Sequence, residues 1–90
     1  LEIDIISYDP AGIHFVEVKT RRSGIQAPPQ DNVDRAKQRK IVRAAQGYLR
    51  THKGLPYADM ECFFDVVAVT FRGEEYKTEW FPQAYIPLYI

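Results

Sequence analysis

The sequence predicts an α/β domain with a mixed β-sheet, formed by a β-hairpin, a crossover helix and a strand parallel to the second hairpin strand. Three observations predict this class. Two isoleucine- and valine-rich segments, 1–8 and 13–20, flank a turn, a basic amphipathic segment follows them, and residues 61–71 are strongly apolar. At 90 residues and 46% apolar composition, we expect residues 1–90 to form a single domain with one small core.

The hairpin is predicted from turn chemistry between two strands. Residues 9–12 read Asp-Pro-Ala-Gly, which places Asp, Pro and Gly at the positions that a type I turn favours. The segment before this turn, 1–8, and the segment after it, 13–20, each show β-type composition. A turn of these four residues sets Tyr8 opposite Ile13, which fixes the register of both strands.

A helix is predicted to follow a loop over residues 21–30, which contains Ser-Gly and Pro-Pro pairs. Asp31 or Asn32 is a suitable N-cap, and the helix is expected to end near His52, before Gly54 and Pro56. Apolar side chains recur along it at helical spacing and bases occupy the remaining positions. The helix is therefore expected to pack one face on the sheet.

The last third of the chain is predicted to complete the sheet. Residues 61–71 read as a buried strand, and a strand–helix–strand connection makes it parallel to residues 13–20. Residues 72–75 are a predicted turn. Residues 76–90 contain Pro82 and Pro87 and are expected to form a short edge strand followed by an irregular tail.

The formal charge of zero conceals a strong separation of charge. The segment 19–53 holds ten of the twelve Lys and Arg residues and two of the twelve acids, a net charge of +8, so the rest carries −8. A local potential of this size attracts a polyanion whatever the total charge. A polyanionic partner is therefore predicted, and the alternative is an ordinary solvated helix face.

Two carboxylates are predicted to meet across the hairpin. The register sets Asp4 opposite Glu17 and Glu2 opposite Lys19, and opposed Cβ atoms lie roughly 4.5–5.5 Å apart. Since opposed like charges are destabilising, a positive group is expected between them. That group is either a divalent cation, Mg²⁺ or Mn²⁺, or a lysine in an ordinary Asp4–Lys19–Glu17 ion cluster.

A cation at this place would suit phosphodiester hydrolysis. Mg²⁺ is commonly held by one or two carboxylates together with water and phosphate oxygens, and it lowers the pKa of bound water. Lys19, on the same strand face as Glu17, would orient that water or stabilise charge on the phosphate. Asp4, Glu17 and Lys19 are thus the candidate catalytic residues.

The remaining residues restrict the class of protein further. The single cysteine, Cys62, excludes an internal disulfide, which fits a reducing compartment, and we therefore expect a cytoplasmic location. No apolar run reaches the roughly 20 residues that a membrane helix needs. His14 is expected to face away from Glu17, and Asp65, inside an apolar strand, is expected to need a polar partner.

Five segments together resemble the YraN-like family of small bacterial proteins, whose members are mostly uncharacterised predicted endonucleases. They read E-I-D-I-I, F-V-E-V-K-T-R-R, K-Q-R-K-I-V-R-A-A-Q-G-Y-L, F-D-V-V-A-V and E-W-F-P-Q-A-Y, in this order along nearly the whole chain. The resemblance implies a restriction-endonuclease-like fold, akin to that of archaeal Holliday-junction resolvases.

The resemblance also implies a D…E-x-K site. Asp4 matches the family's first metal-binding acid, Glu17 the second and Lys19 the catalytic lysine. By analogy with the wider fold, the main-chain carbonyl of Val18 is a further metal ligand. Gln38 matches a helix polar residue that points toward the sheet in related nucleases, and a surface glutamine is its alternative reading.

The chain departs from the family pattern at its start. Family members usually have about 30 residues before this point, a helix with a glutamate and then a first strand. Without that strand, residues 1–8 form an exposed sheet edge, which favours pairing with a second molecule. The sequence therefore predicts a homodimer through residues 1–8.

The function predicted from the sequence is metal-dependent DNA phosphodiester hydrolysis. Structure-selective rather than sequence-specific binding is expected, because no base-reading motif is present. Two alternatives stay open: a non-catalytic nucleic-acid- or protein-binding module that keeps the nuclease fold, and a structural subunit whose carboxylates Lys19 neutralises. The predicted nucleic-acid-binding residues are Arg21, Arg22, Arg35, Lys37, Gln38, Arg39, Lys40 and Arg43.

Overall fold

The structure, a computed structural model, describes residues 3–22, 35–52 and 60–85. In that part of the chain one helix packs on a four-stranded mixed sheet. The elements are β1 (Ile5–Asp9), β2 (Gly12–Arg22), α1 (Arg35–Thr51), β3 (Cys62–Arg72) and β4 (Glu75–Phe81). The strands lie in the order β1-β2-β3-β4, with β2 and β3 parallel and the outer pairs antiparallel. The predicted hairpin, crossover helix and parallel strand are confirmed.

The hairpin register agrees with the prediction. Tyr8 pairs with Ile13 and Ile5 pairs with Val16. The Asp9 carboxylate fixes the turn, because its Oδ1 accepts hydrogen bonds from the Ala11 amide at 2.9 Å and the Gly12 amide at 3.2 Å. The turn residues 9–12 therefore determine which β1 residues pair with which β2 residues.

Two strand boundaries differ from the prediction. β1 begins at Ile5 and not at Leu1, and residues 1–2 lie outside the described part. β2 continues through Arg21 and Arg22, which were predicted to begin the loop, because their backbones pair with Thr70 and Phe71 of β3. The long parallel partner thus extends β2, since each added residue gains a ladder position. The predicted helix cap at residues 31–32 also lies outside the described part.

The second turn uses a glycine in a left-handed conformation. Arg72 pairs with Glu75, so Gly73 and Glu74 form a two-residue loop, and Gly73 has φ of 62°. Positive φ at the first loop position is typical of a type II′ turn, which matches the twist of antiparallel strands. β4 follows this loop directly and lies at the edge of the described sheet, which confirms the predicted short edge strand. Residues 86–90 of the predicted tail lie outside the described part.

The core lies between α1 and one face of the sheet. Its buried apolar residues come from β2, β3 and α1: Ile13, Phe15, Phe64, Val66, Ile41, Val42 and Ala45. Because side chains alternate along a strand, Glu17 and Lys19 share the helix-facing side of β2 with this core. His14 and Asp65 project from the opposite side. In the part of the chain that is described, no helix has the length and apolar character needed to cross a membrane.

Candidate functional site

The candidate site lies on the helix-facing side of the sheet, beyond the apolar core. Glu17 and Lys19 follow Phe15 on the same face of β2, toward the strand's carboxyl end. α1 runs back from that end, so its first turns, which include Lys37, lie over this part of the sheet. Ligand sites in open α/β sheets commonly lie at the carboxyl ends of the strands. The topology therefore brings residues of β2 and α1 together where such a site is expected.

Glu17 is the centre of this group. Its side chain is only 8% exposed, and its Oε1 lies 2.7 Å from Lys37 Nζ and 3.5 Å from Lys19 Nζ. A buried carboxylate must be compensated by positive charge or hydrogen bonds, because desolvation disfavours its ionised form. Both lysines approach the same oxygen, so each contributes to that compensation.

Asp4 approaches the same part of β2 from the start of the hairpin. Its Oδ2 accepts a hydrogen bond of 2.9 Å from the Val18 amide, one residue after Glu17. Asp4 lies at a bend just before β1, so it is not the strand residue that was predicted, and Glu2 lies outside the described part. The β1–β2 pairing begins at the Ile5–Val16 pair, and extending the same register by one residue sets Asp4 opposite Glu17.

The electrostatics of Lys37 connect these groups. The hydrogen bond to Glu17 raises the pKa of Lys37, desolvation lowers it by less, and the charges of Glu17 and Asp4 raise it further. Lys37, one of the residues predicted to contact nucleic acid, pairs with Glu17, the candidate metal ligand. Its approach to Glu17 depends on how α1 packs, which the spacing of residues along the chain does not reveal.

The donor set suits a hard cation. Two carboxylates, of Asp4 and Glu17, and the main-chain carbonyl of Val18 are oxygen donors, and Mg²⁺ often uses one or two carboxylates with water and phosphate oxygens. In residues 3–22, 35–52 and 60–85, no three His, Cys, Asp or Glu side chains are grouped so as to hold a metal ion. The described residues thus fit a cation completed by solvent or substrate oxygens rather than a closed protein cage.

The predicted phosphate-binding residues divide into two sets. Arg21 is held on the sheet, since its Nε donates to Thr70 Oγ1 at 3.1 Å and its Nη2 lies 3.9 Å from Glu79 Oε1. Arg22 follows it in β2 and therefore projects from the opposite face, away from Glu17. On α1 the basic residues Arg35, Arg39, Lys40 and Arg43 are exposed, whereas Gln38 is partly buried. Of this predicted set, Lys37 contacts Glu17.

A second polar cluster lies on the opposite face of the sheet, and the sequence predicted neither its members together nor its geometry. Asp65 is 1% exposed. Its Oδ2 accepts hydrogen bonds from His14 Nδ1 at 2.7 Å and Trp80 Nε1 at 3.0 Å, while its Oδ1 accepts one of 2.9 Å from the Gln83 amide. The other nitrogen of His14, Nε2, lies 3.2 Å from Asp9 Oδ2. The sequence indicated this cluster only through the position of Asp65 inside an apolar strand, which predicted a polar partner without identifying it.

The charges of this cluster reinforce one another. Burial lowers the pKa of His14, but hydrogen bonds and charge interactions with Asp65 and Asp9 raise it more, so its pKa lies above the usual value. Desolvation raises the pKa of Asp9, yet the Ala11 amide, His14 and the Gly12 amide lower it further, so it lies below its usual value. The cluster joins the hairpin turn to β3 and β4.

Comparison with known proteins places this chain among bacterial relatives. It is 44% identical over 84 residues to a UPF0102 protein of Syntrophotalea carbinolica and, over the same length, to one of Geobacter metallireducens. It is 42% identical over 84 residues to one of Anaeromyxobacter dehalogenans. Each alignment covers 93% of this chain but only 66%, 66% and 60% of the respective relative.

The family model gives the same result from a different comparison. Residues 1–69 match the model described as "Uncharacterised protein family UPF0102". This range includes the hairpin, Glu17, Lys19 and all of α1. The resemblance that the sequence motifs indicated is thus confirmed at the level of the family. The chain belongs to the uncharacterised protein family UPF0102.

Proposed function

We propose that this chain carries the active site of a metal-dependent nuclease that hydrolyses phosphodiester bonds in DNA. The observation that carries the proposal is the buried Glu17 carboxylate, with Lys19 Nζ 3.5 Å from its Oε1 and the Asp4 carboxylate bound to the next backbone amide. The combination provides oxygen donors for a cation and an ammonium group beside them.

The fold supports the proposal. A hairpin, a crossover helix and a parallel strand form the mixed sheet, and this arrangement agrees with the restriction-endonuclease-like fold that the sequence motifs imply. Here Asp4 precedes β1, whereas Glu17 and Lys19 stand on β2.

Each residue has a distinct proposed role. Asp4, Glu17 and the carbonyl of Val18 would hold Mg²⁺ or Mn²⁺, which supplies Lewis acidity and a more acidic bound water. Lys19 would orient the attacking water and stabilise negative charge on the phosphate in the transition state. The exposed bases of α1 would bind the DNA backbone without reading bases.

The test is cleavage of supercoiled and branched DNA with Mg²⁺, together with Mn²⁺ binding measured by calorimetry. We expect Glu17→Gln to abolish both, and Lys19→Met to reduce the cleavage rate at least a hundredfold with Mn²⁺ binding retained. Glu74→Gln, in the exposed loop before β4, is the matched carboxylate control and should change neither. Cleavage that survives both Glu17→Gln and Lys19→Met would refute the proposed site.

A specific observation favours a second candidate, a non-catalytic nucleic-acid-binding module. Glu17 Oε1 already has two lysine partners, which is the ion-cluster arrangement that needs no cation. DNA binding without cleavage would support this candidate. In that case Arg43→Ala should weaken binding and reduce the salt dependence of the affinity by about one phosphate contact, which filter binding between roughly 50 and 200 mM salt would measure.

A further inference from the structure

Two ammonium groups share one oxygen of Glu17, and they do so unequally. Lys37 Nζ is 2.7 Å from Oε1, whereas Lys19 Nζ is 3.5 Å from the same atom. The shorter contact has the geometry of a charge-assisted hydrogen bond, and the longer one is an ion pair. Lys37 is thus the principal positive partner of the buried carboxylate.

The balance of charge shows what a divalent cation would have to displace. Asp4 and Glu17 carry two negative charges, and Lys19 and Lys37 carry two positive charges. Adding a cation of charge +2 beside both lysines would leave a partly buried site with an uncompensated double positive charge, which low local dielectric makes costly. Removal of one ammonium group from Glu17 reduces that repulsion.

Lys37 is better suited than Lys19 to leave. Its side chain is 36% exposed, against 23% for Lys19, and it extends from the start of a helix rather than from the middle of a sheet. A lysine is a point charge on a flexible four-carbon stem, so its ammonium group can move into water while its backbone stays in place.

We propose that Lys37 competes with the divalent cation for Glu17 Oε1: its ammonium group binds this oxygen in the metal-free protein and leaves it when a cation binds. The inference rests on the proposed cation site, and it makes Lys37 a residue that sets cation affinity rather than a catalytic residue. Once released, the ammonium group lies beside the exposed bases of α1, so cation binding adds a positive charge to the DNA-binding face.

The first measurement is Mn²⁺ affinity by calorimetry and by electron paramagnetic resonance, without DNA. We expect Lys37→Met to raise the affinity about tenfold, because one ammonium group no longer opposes the cation at a partly solvated site. Lys77→Met is the matched control: it removes the same charge from an exposed position of β4, and it should change the affinity less than twofold. Glu17→Gln should abolish Mn²⁺ binding.

The second measurement follows one signal of the wild-type protein during a Mg²⁺ titration. The ¹H–¹⁵N signal of the Lys37 ammonium group, assigned by its absence in Lys37→Met, should be visible in the metal-free protein and should broaden or shift as Mg²⁺ is added. The outcomes separate the two proposals. Equal cation affinity in wild type and Lys37→Met, or an unchanged Lys37 signal at saturating Mg²⁺, overturns the competition alone. No cation binding in either protein overturns the cation site and the competition together, whereas binding by Lys37→Met alone supports both.

Discussion

Asp65→Asn is the substitution whose effect the structure defines best. The Asp65 carboxylate is almost fully buried and accepts three hydrogen bonds, from His14, Trp80 and the Gln83 amide. An asparagine has the same shape but only one acceptor oxygen, and its amide group is a donor. Whichever way the amide is turned, at least one of the three donors faces an NH₂ group. The negative charge beside His14 is lost as well.

The magnitude follows from these losses. A buried donor without a partner costs about 1–3 kcal/mol, and removal of one partner of a buried charged pair costs about 3–5 kcal/mol. Because asparagine keeps some of the hydrogen bonds, we expect the free energy of unfolding to fall by about 3 kcal/mol. For a domain of this size that corresponds to a decrease in Tm of roughly 12–24 °C.

Urea unfolding followed by tryptophan fluorescence would measure this, since Trp80 is the only tryptophan and contacts Asp65 directly. Asp9→Asn is the comparison at the other end of the same histidine, where the carboxylate is half exposed, and it should be less destabilising. A loss below about 1 kcal/mol for Asp65→Asn would refute the assignment of Asp65 as the centre of the cluster.

Three further predictions concern the same hairpin. Because the pKa of His14 is raised in the folded state, its contribution to stability is complete below the unfolded pKa of 6.5 and declines as the pH rises above it. Because the pKa of Asp9 is lowered, its contribution is complete above the unfolded pKa of 3.8 and declines as the pH falls below it. Urea unfolding at a series of pH values should show both declines. Asp65→Asn should remove most of the pH dependence above pH 6.5, because Asp65 raises the pKa of His14. An unchanged slope of stability against pH would contradict the His14–Asp65 pairing. Gly12→Ala should lower the free energy of unfolding by at least about 2 kcal/mol in the same assay, because an added Cβ would collide with the backbone oxygen of Glu61. A variant as stable as the wild type would contradict this close approach. β1 is the outer strand of the described sheet, and we expect it to pair with a second molecule, which sedimentation at high concentration would test; a monomer throughout would contradict the expectation.

Local chemistry accounts for the parts of the fold that the sequence predicted. The turn residues 9–12 set the hairpin register, and the alternation of β2 sets Glu17 and Lys19 on one face with the core residues. The strand–helix–strand order predicted the parallel pairing of β2 with β3, because a helical crossover returns the chain to the same end of the sheet and the next strand then runs in the same direction. These features depend on residues that are near one another in the chain or on the order of whole elements.

The boundaries that were wrong depend on partners that are distant in the chain. Arg21 and Arg22 were expected in a loop, but pairing with β3 extends the strand through them. Arg21 then donates a hydrogen bond to Thr70 and pairs with Glu79 of β4. A local reading of composition contains no information about how far a parallel partner continues.

The sequence by itself determined the family, the order of elements and the choice of Asp4, Glu17 and Lys19 as the candidate site. It did so because the spacing of apolar residues, the turn residues and the short sequence motifs are local properties of the chain. Only the tertiary structure decided that Lys37 of α1 lies 2.7 Å from Glu17 and that Asp65 bonds to His14, 51 positions away. Which side chains neutralise a buried charge depends on how the helix and strands pack. That packing minimises the free energy of the whole molecule, in which the cost of desolvating a charge is offset by partners that are distant in the chain.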